Sequence, residues 1–92
     1  MDIINNFFDR IKDDPVIDAV HISLFMALFN LFKHNQAERI PIERRETMNL
    51  SKIASPATYF RKLRELEERG FIEYFPSRKR CQTTHVRLKM EV

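Results

Sequence analysis

The chain has a single glycine, Gly70, and its position limits what can be built. Phosphate-cradling loops of the dinucleotide-binding and P-loop kinds need several glycines, so both are excluded. Gly70 also closes the best-bracketed helix pattern in the sequence. Ser55 supplies an N-cap, Pro56 fits the first helical position, and the helix is predicted to run to Arg69. A glycine just past that point is a common left-handed stop. Pro15, Pro41 and Pro76 fall where the hydrophobic period changes, so they too mark element boundaries.

Between these marks the periods are legible. Residues 2–13 carry Ile3, Ile4, Phe7, Phe8 and Ile11 at helical spacing. Asp14 is the expected N-cap of a second helix, Val16 to Lys33, with Pro15 at its first position. Its main stripe is Val16, Val20, Leu24, Leu28, Leu31 and Phe32, with Ile22, Met26 and Phe29 roughly opposite. A helix apolar on two sides is covered on two sides. Either the N-terminal helix covers the second stripe within one chain, or a second copy does. Phe7, Phe8, Ile22, Met26 and Phe29 are read as the dimer contact.

Arg39 to Ile42 is predicted as an edge strand, because Pro41 is tolerated there. A short helix from Glu43 to Leu50 and a tight connection over 51–54 lead to the Ser55-capped helix. On a plot of about 100° per residue, Phe60, Leu63 and Leu66 form its buried face. Ala57, Thr58, Arg61 and Lys62 lie on the other side. Tyr59 is placed at the border, half-buried, with its hydroxyl reaching solvent or a phosphate. Strands over Phe71 to Phe75 and Thr83 to Met90 flank a basic turn at 77–82.

This order is two helices, an edge strand, a short helix, a capped helix and a hairpin. It describes a helix-turn-helix followed by a wing. The expected fold class is mainly α with a small antiparallel sheet, a winged helix-turn-helix over residues 15–92 with an N-terminal helical extension over 1–14. Pro41 to Met48 (PIERRETM), Leu50 to Ser55 (LSKIAS), Ala57 to Tyr59 (ATY), Gly70 to Ser77 (GFIEYFPS) and His21 to Phe25 (HISLF) carry a resemblance. Over about residues 20–90 the chain resembles small winged-helix proteins of Bacteroidetes. It is also similar to winged-helix modules of bacterial replication-initiation and primosomal proteins. The resemblance implies helix-turn-helix DNA binding, in transcriptional regulation or mobile-element biology. Arg78, Lys79 and Arg80 stand where a glycine is expected near the wing tip.

Charge points the same way. The net charge is +3, but residues 1–38 hold three Lys/Arg against six acids and residues 39–92 thirteen against seven. An uneven basic half suits a polyanionic partner. The expected partner is double-stranded DNA. Ala57 and the Thr58 methyl suit a thymine methyl, and Arg61 can grip guanine through two donors. Lys62 is assigned a phosphate, as is Ser55 with the free N–H groups of the helix start. Arg44, Arg45 and Lys52 flank the turn; one or two of them could touch the backbone, and none is expected to read sequence. Arg78, Lys79, Arg80, Arg87 and Lys89 form the basic wing, suited to phosphates or a narrow minor groove.

Other chemistry is not expected. One cysteine, Cys81, excludes an intrachain disulfide and a Cys-only zinc site. Cys81 and His85 lack further ligands, so no metal or other cofactor is expected, nor a small-molecule ligand. His21 is read as a hydrogen-bonded core histidine. Adjacent carboxylates such as Asp13-Asp14 and Glu67-Glu68 point different ways, and no catalytic set is recognisable, so no enzyme is expected. Charges interrupt every apolar run before about 18 residues. Met1-Asp2 begins no signal peptide, and a reduced, cytoplasmic protein is expected. The alternative function is a winged helix used for protein assembly or replication initiation without its own sequence readout. A single-strand or RNA binder would need exposed aromatics on the basic face, where Tyr59, Tyr74 and Phe75 are the candidates.

Overall fold

A computed structural model describes residues 3–35, 39–76 and 84–89. Among them the elements run α1 (Ile3–Ile11), α2 (Ala19–Asn35), β1 (Ile40–Ile42), α3 (Arg44–Ser51), α4 (Pro56–Glu68), β2 (Ile72–Phe75) and β3 (Thr84–Leu88). The fold is α+β, mainly helical, with a small three-stranded antiparallel sheet. The expected wing tip, with Arg78, Lys79, Arg80 and Cys81, lies outside the described residues.

Local chemistry sets most of the boundaries. The Glu43 carboxylate caps α3, accepting from the backbone N–H groups of Arg45 and Glu46 at 2.9 Å each. Those bonds hold its carboxyl below the usual range. The Ser55 hydroxyl caps α4 by accepting from Thr58 N at 3.3 Å, with Pro56 next. Gly70 follows α4 at φ +84°, the left-handed stop expected of it.

The start of α2 departs from expectation. It begins at Ala19 rather than Val16, and Asp18 rather than Asp14 caps it. Asp18 Oδ1 accepts from Val20 N at 2.9 Å and His21 N at 3.2 Å. Asp14 is engaged elsewhere: Arg69, at the end of α4, donates to both its carboxylate oxygens at 2.9 Å. The Pro15-Val16 segment becomes a turn, with Val16 N bonded to Asp14 Oδ1 at 3.0 Å.

The strand order is β1-β3-β2. Val86 at the centre faces Ile40 on one side and Tyr74 on the other. Ile40, Ile72, Val86 and Leu88 point into the core, and Pro41 sits on the edge strand.

One hydrophobic core takes in α1 as well. Ile3, Phe7 and Ile11 recur one turn apart and are buried. The Phe7 ring stacks on Phe25 at 4.0 Å and meets Phe71 edge-on at 5.2 Å. This corrects the dimer expectation for two residues. Phe7 is fully buried and Phe29 nearly so, both inside their own chain. Burying a phenylalanine is worth roughly 1.5–3 kcal/mol, and α1 is near enough in sequence to supply the cover. Ile22 and Met26 are half-buried and Phe8 is exposed. No described helix is long and apolar enough to cross a membrane.

Candidate nucleic-acid interface

The turn between α3 and α4 sets the direction of α4. Lys52 takes a left-handed conformation, φ 62° and ψ 32°, after the last residue of α3. That costs a non-glycine residue about 1 kcal/mol. Nearby hydrogen bonds hold it. Ile53 N donates to Met48 O at 3.0 Å, and the Ser51 hydroxyl donates to Thr47 O at 2.8 Å. The Ser23 hydroxyl donates to the Ser51 carbonyl and ties the turn to α2.

The inner face of α4 is Tyr59, Lys62, Leu63 and Leu66. Two expectations are corrected here. Tyr59 is buried, not half-exposed, and Phe60 is 39 % exposed, not core. Polar surroundings ease this burial. The Thr47 side chain acts on the Tyr59 hydroxyl against the effect of desolvation, and the Thr47 hydroxyl itself donates to Glu43 O at 2.9 Å. A tyrosine carries a polar tip into the core at such a place, and the helix turns about one residue from the expected orientation. Burial pushes the Tyr59 phenol up to about 12.

Lys62 is a third correction. It was assigned a phosphate, yet its side chain is 9 % exposed. Its Nζ donates to Asp18 Oδ2 at 2.9 Å and lies 3.8 Å from Glu65 Oε1. A cation that enters the interior needs a carboxylate partner. His21, fully buried, completes the group: Nε2 is 2.7 Å from Glu65 Oε1, and Asp18 N donates to Nδ1 at 3.0 Å. Nδ1 also lies 3.0 Å from Asp18 Oδ1. The Lys62 hydrogen bond, opposed by desolvation, holds the Asp18 carboxyl well below the usual carboxylate range. Together these side chains latch the start of α2 to the middle of α4.

The outer face of α4 carries Ala57, Phe60, Arg61, Arg64 and Glu68, all exposed. Arg61 and Arg64 make no side-chain hydrogen bond or salt bridge among the described residues. Ser55 is exposed at the cap, and Thr58 is half-buried. Arg64 was missed in sequence. Its signal was spacing: it stands three residues after Arg61 and seven after Ala57, hence on the same stripe.

Grooves flank the start of α4 on two sides. One, about 430 Å³, is lined by Ala19, Val20, Lys52, Ser55 and Thr58 among others. The other is lined by Arg44, Arg45, Met48, Asn49 and Pro56. The first turns of α2 and α3, the left-handed Lys52 and the cap of α4 thus share one region. The described cations lining these grooves are Arg44, Arg45 and Lys52, and Arg61 and Arg64 follow on the exposed face of α4.

The sheet contributes less than expected. Arg87 faces Glu73 across β2 and β3, and its Nε donates to Glu73 Oε1 at 2.6 Å. Its charge is thus already matched within the protein. Arg39 lies over the Phe75 ring at 3.8 Å, engaging one of the aromatics proposed for single-strand stacking. Lys89 is exposed at the end of β3. Among the described residues no group of three His, Cys, Asp or Glu side chains is placed to hold a metal ion. No protein-family model, curated protein or solved structure matches this chain.

Proposed function

We propose that the chain is a winged-helix module that binds double-stranded DNA, with α4 as its recognition helix. The element order after α1 and the strand order β1-β3-β2 support the architecture. One observation carries the function: α4 turns outward a capped, positively polarised N-terminus and two arginines that are unpaired among the described residues, while its other face is locked to the core. Helix N-termini and arginines both favour phosphate, and an exposed helix face fits the major groove.

The roles are then distributed. Arg61 and Arg64 are the base-reading or phosphate-holding cations of α4. Arg44, Arg45 and Lys52 hold backbone on either flank, and Ser55 with the neighbouring N–H groups holds another phosphate. Lys62 takes no part in contact and instead fixes the angle of α4. A second copy reading a second half-site would use Phe8, Ile22 and Met26, the exposed and half-buried part of the expected dimer surface.

The test is fluorescence anisotropy with a random-sequence duplex at low and moderate salt. Binding should weaken steeply as salt rises. The Arg61→Glu/Arg64→Glu double variant should lose roughly 10- to 100-fold in affinity at low salt with its fold intact. Absence of binding at low salt overturns the DNA reading and favours a protein partner.

A further inference from the structure

Phe60 is the one large apolar side chain on the outer face of α4, and nothing in the core needs it there. Its ring touches Tyr59 edge-on, with centroids 5.1 Å apart, and is otherwise turned outward. It stands three residues after Ala57 and four before Arg64, so the stripe reads small apolar, large apolar, cation. Arg61 lies beside it.

We propose that Phe60 is a specificity-determining residue that covers the 5-methyl group of a pyrimidine in the major groove. The inference rests on the duplex-DNA reading above and deepens it from binding to readout. The major groove presents few apolar surfaces, and the pyrimidine 5-methyl is the one that a phenyl ring recognises. The flanking cations select a nucleic acid over an apolar protein groove. Arg61 and Arg64 are both exposed and unpaired among the described residues, so a partner covering Phe60 must accept two positive charges at its rim. A phosphate-lined groove with a methyl on its floor does so. Thymine and 5-methylcytosine share this chemistry.

The experiment uses the full chain and a duplex selected from a randomised pool. That duplex is then resynthesised with uracil replacing each thymine in turn, which removes only the methyl group. A parallel set replaces cytosines by 5-methylcytosine. Wild-type protein should lose about three- to fivefold in affinity at one or two uracil positions, the worth of one buried methyl. Phe60→Ala and Phe60→Gln should bind thymine and uracil duplexes equally, with unchanged thermal midpoints. A gain confined to 5-methylcytosine would assign the ring to the methylated base instead of thymine. Equal binding of every base-modified duplex by the wild type overturns the Phe60 inference while leaving DNA binding intact. Absence of salt-dependent binding to any duplex removes both.

Discussion

Arg61 and Lys62 sit side by side on α4, yet Arg61 is exposed while the Lys62 side chain is 9 % exposed between Asp18 and Glu65. The two differ by about 100° of helix rotation. One has no partner among the described residues, and the other is held by a carboxylate of α2. The pair shows that equal formal charges do different jobs. Lys62 sets where the helix lies, and Arg61 is what the helix then presents. The same division holds for their neighbours. Tyr59 is buried, while Phe60, the less polar ring, faces out. Net charge therefore overstates the contact surface. Lys62, Arg69, Arg87, Arg39 and Arg10 are all engaged by carboxylates, rings or a carbonyl within the chain.

The aromatic pair gives the largest expected contrast. Tyr59→Ala should destabilise the fold by about 3–5 kcal/mol, the usual cost of removing a buried ring. Phe60→Ala should stay within about 0.5 kcal/mol of wild type, as exposed substitutions do. Chemical denaturation of both variants measures this directly. Comparable losses at the two positions would mean that α4 is rotated from its described orientation.

The charged pair comes next. Lys62→Ala removes a charge-assisted hydrogen bond and leaves Asp18 and Glu65 without their cation. A loss of about 1.5–3 kcal/mol is expected. Arg61→Ala should change stability by no more than about 0.5 kcal/mol and fall in DNA affinity instead. If Lys62→Ala weakened DNA binding while stability held, the latch would be wrong and the phosphate role restored.

These contrasts also explain what was legible in the sequence. Caps and stops are local chemistry, so Ser55, Pro56 and Gly70 located α4 without any knowledge of the rest. The alternation of Thr84, Val86 and Leu88 with His85 and Arg87 is equally local, and Val86 and Leu88 are the buried members. What failed depended on partners distant in the chain. A helical wheel treats Tyr59 and Phe60 as equal aromatics, and the surroundings that tell them apart, Thr47 on α3 among them, are distant in the chain. Lys62 looked like a surface cation because Asp18 lies 44 residues away. Asp14 resembled a cap because Arg69, 55 residues on, was invisible as its partner. Phe7 was free for a dimer until Phe25 and Phe71 were seen beside it.

The smallest effect, in pH, isolates the latch from the outer stripe. The carboxyls of Asp18 and Asp14 are both held below the ordinary value of 3.8, first by their hydrogen bonds to Lys62 and Arg69. A carboxyl depressed in the folded state contributes stability that is present above its unfolded pKa and lost as pH falls through the folded one. Stability should therefore be flat in these two groups at neutral pH and begin to fall below about pH 4. Asp18 faces Lys62 and His21, with Glu65 across the latch, so Asp18→Asn alone changes several contacts at once. Lys62→Met is the cleaner partner, because it removes the largest cause of the depression and keeps the carboxyl. Both variants should be less stable at pH 7 and show a shallower acid slope than wild type in denaturation curves from pH 7 to 3. Arg61→Ala, on the outer face, should follow the wild-type slope. An acid slope unchanged by Lys62→Met would mean that Asp18 draws its depression from the backbone N–H of His21, and that the cap of α2, not Lys62, holds this end of the molecule together.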